Sequence, residues 1–219
     1  MFDETSKRPL LDEFYQRFLQ TENSADFIFE VAQHYTAGSL TLLADAGQRV
    51  TRRAAILALG FVGDFSVNPV LGQALTDDDR GVRLLADHGI RQLWFRVGKP
   101  NLEVGLRKIV RLNRQHRFAC AIDMASDLVD IDDCVAEAWN QRAIACYNLE
   151  DYVQAIADCR QALELNPWHF LAALGSANCH LELGNVYEAL NDFRLSLEIN
   201  PDLEMVRSQI DQLQRIVEG

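Results

Sequence analysis

Apolar and polar residues alternate with a helical period along most of this 219-residue chain. Near the start, Leu10, Leu11, Phe14 and Phe18 form one apolar set, and Phe27, Ile28, Val31, Ala32 and Tyr35 form a second. Spacings of three and four residues place such side chains on one face of an α-helix, so these two stretches predict a helix pair. Near the end, Leu203, Val206, Ile210, Leu213 and Val217 make one stripe, with Glu204, Arg207, Asp211 and Arg215 on the other side. That pattern predicts a terminal helix with one buried and one wet face.

The middle of the chain repeats itself. The phrase LELNP at 163–167 returns as LEINP at 197–201, a shift of 34 residues. The same shift pairs Ala143 with Ala177, Tyr152 with Val186, Ala155 with Ala189 and Ala162 with Ser196. Each unit reads as a helix, a short turn (148–151; 184–185), a second helix and an Asn-Pro stop. Proline disfavours the α conformation in the residue before it, which ends the second helix and lets the next unit turn back. One period earlier, residues 102–135 keep Ala121, Ala125 and Leu128 in register but carry Asp133 where the proline would stand. They read as a degenerate first unit.

These residues resemble the tetratricopeptide repeat family, whose pattern is W-x2-L-G-x2-Y, then A-x3-F, then P over 34 residues. Residues 136–169 offer Trp139, Arg142, Ala143 and Cys146, then Ala155, Cys159 and Pro167. Residues 170–201 offer Ala173, Ser176, Ala177 and His180, then Ala189, Phe193 and Pro201. The resemblance implies paired antiparallel helices that stack with their first helices along a concave groove, and a capping helix over 202–218.

The first half has another period. Arg52, Ala55, Ala58 and Leu59 are echoed by Arg83, Ala86, Gly89 and Ile90, a shift of 31. Asn68-Pro69 sets a capping residue before a proline in a first helical turn. With the run TDDDRGVRLLADHG, this resembles short HEAT-like repeats, and two such units fit 39–96. The fold expected is therefore all-α: a right-handed solenoid of antiparallel helix pairs. Residues 1–97 would hold the cap and HEAT-like repeats, and 98–219 three tetratricopeptide units plus the capping helix. The joint is Val97-Gly98-Lys99-Pro100-Asn101, whose Gly and Pro interrupt helices.

Charge narrows the function. A net charge of −11 and a pI near 4.8 argue against nucleic acid or an anionic membrane surface as partner. The distribution is uneven: 99–117 carries Lys99, Arg107, Lys108, Arg111, Arg114 and Arg117 against Glu103, whereas from 118 onward there are 5 basic and 18 acidic residues. Met1-Phe2-Asp3-Glu4 lacks the apolar core of a signal peptide, and there is no 18-residue apolar run. The five cysteines lack CxxC spacing and fit reduced thiols in a cytoplasmic protein.

Catalytic motifs are missing from the sequence. There is no Gly-rich phosphate loop, no HExxH and no GxSxG. Cys179 and His180 are adjacent, and neighbouring helical residues point about 100° apart, too far for a nucleophile–base pair. Cys146 and Cys159 stand where the family has aromatics, and read as core thiols rather than as metal ligands with His180. Asp77-Asp78-Asp79 lacks the alternation of a Ca²⁺ loop and reads as an acidic turn opening a helix. Catalytic residues, metal and cofactor are all expected to be none.

The expected function is a non-enzymatic scaffold that binds a protein or peptide. The resemblance places Arg107, Val110, Asn113 and Arg114 on the groove from the first unit. It adds Glu137, Asn140, Gln141, Ile144, Tyr147 and Asn148 from the second, and Leu171, Leu174, Asn178 and Leu181 from the third. Arg107, Arg111 and Arg114 form an i, i+4, i+7 stripe suited to acidic side chains, unless Asp123 and Asp127 pair with it. Asn113, Asn140 and Asn178 suit an extended peptide backbone. Some family members clamp a C-terminal carboxylate with Lys, Arg and Asn; the expected Lys residues are missing here. A segment with acids at one end and apolar residues at the other would complement the groove. Two other readings stand beside it. One is a bilin-attaching protein of HEAT-like type, marked by an adduct on Cys134 or Cys179. The other is self-association, as a homodimer, through Leu171, Leu174 and Leu181.

Overall fold

A computed structural model describes residues 9–218; Met1–Glu4 and the side chain of Val217 lie outside what is described. The described residues fold as thirteen α-helices and one 3-10 turn, with no strand among them. They form two compact units that divide between Leu93 and Trp94.

The first unit holds α1 (Leu10–Thr21), α2 (Ser24–His34), α3 (Ala37–Ala46), α4 (Arg49–Val62), α5 (Asn68–Ala74) and α6 (Arg80–Leu93). The two opening amphipathic stretches are α1 and α2, which pack on each other and on α4. Asn23 caps α2 through the amides of Ala25 and Asp26, and Thr36 and Ser39 form a reciprocal capping box on α3. The centre is α4, where every residue from Ala54 to Gly60 is buried. Gly60 and Gly89 let α4 and α6 touch backbone to backbone: a Cβ on either would lie 3.1 Å from the other's Cα.

The acidic turn before α6 is built into this unit. Arg52 reaches Asp77 through two hydrogen bonds of 2.8 Å, and Arg53 reaches Asp79 through bonds of 2.6 and 2.8 Å. Asp79 Oδ1 also accepts from the Val82 amide at 3.0 Å and so caps α6. The Arg53 hydrogen bonds hold the Asp79 carboxyl down at about 2. Burial pushes Asp77 upward, yet the bonds from Arg52 and the Asp79 amide outweigh it and its pKa falls below the usual carboxylate value. These carboxylates are spent on arginines, as the acidic-turn reading requires.

The second unit holds α7 (Pro100–Arg114), α8 (Phe118–Ile131), α9 (Ala136–Asn148), α10 (Tyr152–Leu165), α11 (Phe170–Glu182), α12 (Val186–Ile199) and α13 (Glu204–Glu218). Three hairpins follow at 34-residue intervals, including the degenerate first one. Their turns place His116, Glu150 and Gly184 at φ of 57°, 63° and 74°. Their ends are alike too: the side chains of Asp132, Asn166 and Asn200 each accept from the amide two residues on, at 3.2, 3.1 and 3.1 Å. Asp132 thus makes the closing turn with no proline after it. Asp132, Asn166 and Asn200 are all extended, with ψ between 92° and 98°. Small buried residues let the helices approach: Ala121, Ala125, Ala143, Ala155, Ala162, Ala173, Ala177 and Ala189. Val206 and Ile210 of α13 are buried with Phe193 and Leu190, which closes the last hairpin.

Candidate functional site

In the second unit α7 packs on α9 and α9 on α11, so the first helices of the hairpins make one layer. The residues expected on that layer fall into two groups. Arg107, Arg114 and Ile144 are exposed, and Val110, Tyr147, Leu171, Leu174, Asn178 and Leu181 are partly exposed. Asn113, Asn140 and Gln141 are buried, together with Glu137. Their side-chain nitrogens are engaged inside the unit, Asn113 Oδ1 is buried without a hydrogen-bond partner among the described residues, and none of the four lines an open surface.

Those buried groups form a chain of hydrogen bonds. Asn113 Nδ2 donates to the Gln141 backbone oxygen at 2.9 Å and to its Oε1 at 3.0 Å. Gln141 Nε2 donates to Glu137 Oε1 at 2.7 Å, and Asn140 Nδ2 approaches the same oxygen at 3.4 Å. The other Glu137 oxygen lies 2.9 Å from His169 Nε2. His169 Nδ1 accepts from the Ala172 amide at 3.2 Å, which leaves the ring proton on Nε2, facing Glu137. Trp94 lies flat on that imidazole, with centroids 4.0 Å apart and planes 15° from parallel. The division between the units falls before Trp94, four residues ahead of the Gly98 joint, because this indole is buried against His169 and Phe170. Sequence spacing alone linked Glu137 to neither His169 nor Trp94. The one available signal was a buried-type position occupied by an acid.

The open part of the layer is amphipathic. Arg107 faces Glu103 on its own helix at 3.8 Å rather than Asp123 or Asp127. Arg111 and Arg114 are exposed beside it. Leu174 and Leu181 pack partly against the cluster of Ala177, Phe193, Val206 and Ile210, so the terminal hairpin covers part of the apolar face of α11. Tyr147 sits edge-on to Tyr152 at 5.5 Å and donates to Glu182 Oε1 at 3.3 Å. The chemistry available here is apolar burial, guanidinium pairing and amide hydrogen bonding.

The three buried thiols are poor nucleophiles. Burial pushes Cys146 and Cys179 up to about 11, and Cys159 higher still. Cys179 is buried, which removes it as an open attachment site for a chromophore. The carboxylates of Asp132 and Asp133 lie near the Cys134 thiol, but Asp132 is paired with Lys99. No described helix is long and apolar enough to cross a membrane.

Known proteins resemble this part of the chain. Residues 136–169 and 172–203 each match a tetratricopeptide repeat model. Sperm-associated antigen 1 of Mus musculus is 32% identical over 80 residues, 36% of this chain and 9% of that protein. A TPR repeat-containing protein of Rhizobium etli is 24% identical over 130 residues, 59% of this chain and 64% of that protein. This chain therefore covers less than two-thirds of either relative. Among solved structures, the first TPR of Spaghetti (RPAP3), bound to the HSP90 peptide SRMEEVD, superposes with a TM-score of 0.52 at 22% identity. That overlap spans 54% of this chain and 94% of the other, and the likeness is one of fold. Residues 136–169 and 172–203 are tetratricopeptide repeats.

Proposed function

We propose that this chain is a non-enzymatic interaction adaptor that captures an extended peptide along the α7–α9–α11 layer. The observation that carries the reading is one run of exposed and half-exposed side chains. Arg107, Arg111 and Arg114 stand on α7, Ile144 and Tyr147 on α9, and Leu171 and Asn178 on α11. A segment with acids at one end and apolar side chains at the other complements it in charge and in burial. The peptide SRMEEVD held by the solved RPAP3 domain combines acidic residues with Met and Val, which supports a partner carrying both kinds of side chain. Recognition rests here on arginines, because Lys99 and Lys108 are the lysines present from residue 94 onward, so the carboxylate clamp of some relatives is not carried over.

In the same reading, α3–α4 and α5–α6 are two short HEAT-like pairs. The shared 31-residue spacing of Arg52 and Arg83 supports this, as does the attachment of both to Asp77, one at its carboxylate and the other at its backbone oxygen. Five free cysteines, three of them buried, fit a reducing cytoplasm.

An array of ten-residue peptides varying the position of Glu and Leu tests the groove. Wild type should select acid-plus-apolar sequences. Arg107→Glu combined with Arg111→Glu, and separately Ile144→Glu, should each cut binding by about tenfold or more. Unchanged selection in both variants, with circular dichroism unchanged, overturns the assignment.

A further inference from the structure

A second apolar surface runs along the turn edge of the two tetratricopeptide repeats, beside Tyr147 at the end of the groove. Leu149 and Val153 flank the turn of the second hairpin, and Leu183 and Tyr187 flank that of the third, each pair displaced by 34 residues from the other. They are 50%, 71%, 42% and 68% exposed. The positions are structurally equivalent: Leu149 and Leu183 are the residues that close α9 and α11, and Val153 and Tyr187 are the second residues of α10 and α12. The bond from Tyr147 to Glu182 ties the ends of α9 and α11 together, so the two turns sit side by side. Turn-flanking positions ordinarily carry polar residues, since they meet water. Repeating two large apolar residues at both turns makes a ridge. The first hairpin, with Gln115 and Ala119 there, does not continue it.

The two ridge hairpins carry charge of one sign at this edge, and the cations Arg114 and Arg117 belong to the turn of the first hairpin. Glu150, Asp151, Glu182 and Glu188 are exposed around the ridge, and no Lys or Arg occurs in 143–159 or 177–193. Two such ridges brought face to face would set these carboxylates against one another, which disfavours a second copy as occupant. Packed helices stand roughly 8–10 Å apart, and residues i and i+7 of a helix are about 10.5 Å apart along its axis. One helix laid across the ridge would thus meet both turns with apolar residues at i, i+3 or i+4, and i+7.

We propose that this ridge docks an amphipathic helix of a partner protein, apolar on one face and rich in Lys and Arg on its flanks. The docking is independent of peptide capture in the groove.

The test uses the full chain and a labelled 18-residue Leu/Lys amphipathic peptide, read by fluorescence anisotropy near 0.1 M salt. The expected result is micromolar binding that weakens with salt and falls about tenfold or more in Val153→Glu and in Tyr187→Glu. Both side chains are exposed, so the fold should hold, and circular dichroism checks that. Ile144→Glu, in the groove, should leave this binding intact. A Leu/Glu peptide of the same spacing should not bind. Absence of binding, equal binding by the Leu/Glu peptide, or indifference to both ridge variants overturns the proposal. So does a dimer, seen by light scattering, that the ridge variants dissociate, because the occupant is then a second copy.

Discussion

His169 Nε2 donates to Glu137 Oε2 across 2.9 Å, both side chains are buried, and 32 residues of chain separate them. This bond joins the start of α9 to the start of α11, and Trp94 covers it from above. Glu137 is the acceptor at which His169 and Gln141 converge, with Asn140 nearby. Truncating it leaves buried donors without partners, a cost of about 1–3 kcal/mol for each group. Glu137→Ala should therefore lower the unfolding free energy by about 3 kcal/mol or more in urea. Glu137→Gln, which keeps one acceptor oxygen and the volume, should cost about half of that. Equal loss in both variants would mean that packing, not hydrogen bonding, holds the two helix starts together.

Asp79 links pH to the stability of the first unit. Its carboxyl is held at about 2, below the ordinary value of 3.8, chiefly by the Arg53 hydrogen bonds. A depressed carboxylate contributes stability that is complete above its unfolded value and is lost as pH falls through the folded value. The contribution should thus be present at pH 5 and above, fade from about pH 4, and be gone below about pH 2. Asp79→Asn should be less stable than wild type at pH 7 and should converge with it near pH 2, as followed by urea melts across the range. Asn retains cap capacity, so Asp79→Ala should lose about 1 kcal/mol more. A gap between Asp79→Asn and wild type that persists at pH 2 would sink the electrostatic account.

The hairpin framework was legible because it depends on local rules. The 34-residue spacing, the small residues at helix contacts and the Asn-Pro stops all act within one or two helices. They led from the sequence to α9–α12 without knowledge of anything distant. The degenerate first hairpin was legible through its alanines, while its ending was not: Asp132 makes the same turn as Asn166 through a side-chain acceptor, and a search for proline passes over it. The site was harder to read. The family resemblance put Asn113, Asn140 and Gln141 with Ile144 on one layer. Whether an amide on that layer faces water or a neighbour depends on residues far away in the chain, here Glu137, His169 and Trp94. Periodicity gives the face of a helix and says nothing about what a second helix brings to it.

Arg142 occupies the position where the repeat pattern has leucine, and Asp158 faces it with bonds of 2.8 and 2.7 Å. Asp158 is buried and also accepts from Gln154, while Arg142 reaches Ser126 of the preceding hairpin at 3.1 Å and lies over the Trp139 ring. Removing one partner of a buried ion pair costs about 3–5 kcal/mol, because the other charge is left uncompensated, yet replacing both by apolar groups is often neutral. Arg142→Leu alone and Asp158→Ala alone should each be strongly destabilising. Arg142→Leu combined with Asp158→Ala should recover most of the loss. Thermal melts of the two single variants and the double variant measure the coupling. Additive losses would show that the pair contributes packing rather than charge.

The three hairpin turns make the same backbone demand of different residues. His116, Glu150 and Gly184 all have positive φ, 57°, 63° and 74°, a region that costs a residue with a Cβ about 1–2 kcal/mol and glycine almost nothing. A Cβ on Gly184 would meet no heavy atom within 4 Å, so crowding does not enter. Gly184→Ala should therefore destabilise by about 1 kcal/mol through backbone strain alone. The reverse change at the equivalent position, Glu150→Gly, relieves strain but adds freedom to the unfolded chain. The two effects partly offset, leaving a gain of about 0.5 kcal/mol or less. Urea midpoints of the two variants should move in opposite directions with unchanged m-values. If Glu150→Gly loses stability as Gly184→Ala does, the turns are not equivalent, and the 34-residue register through the second and third hairpins is wrong at its tightest point.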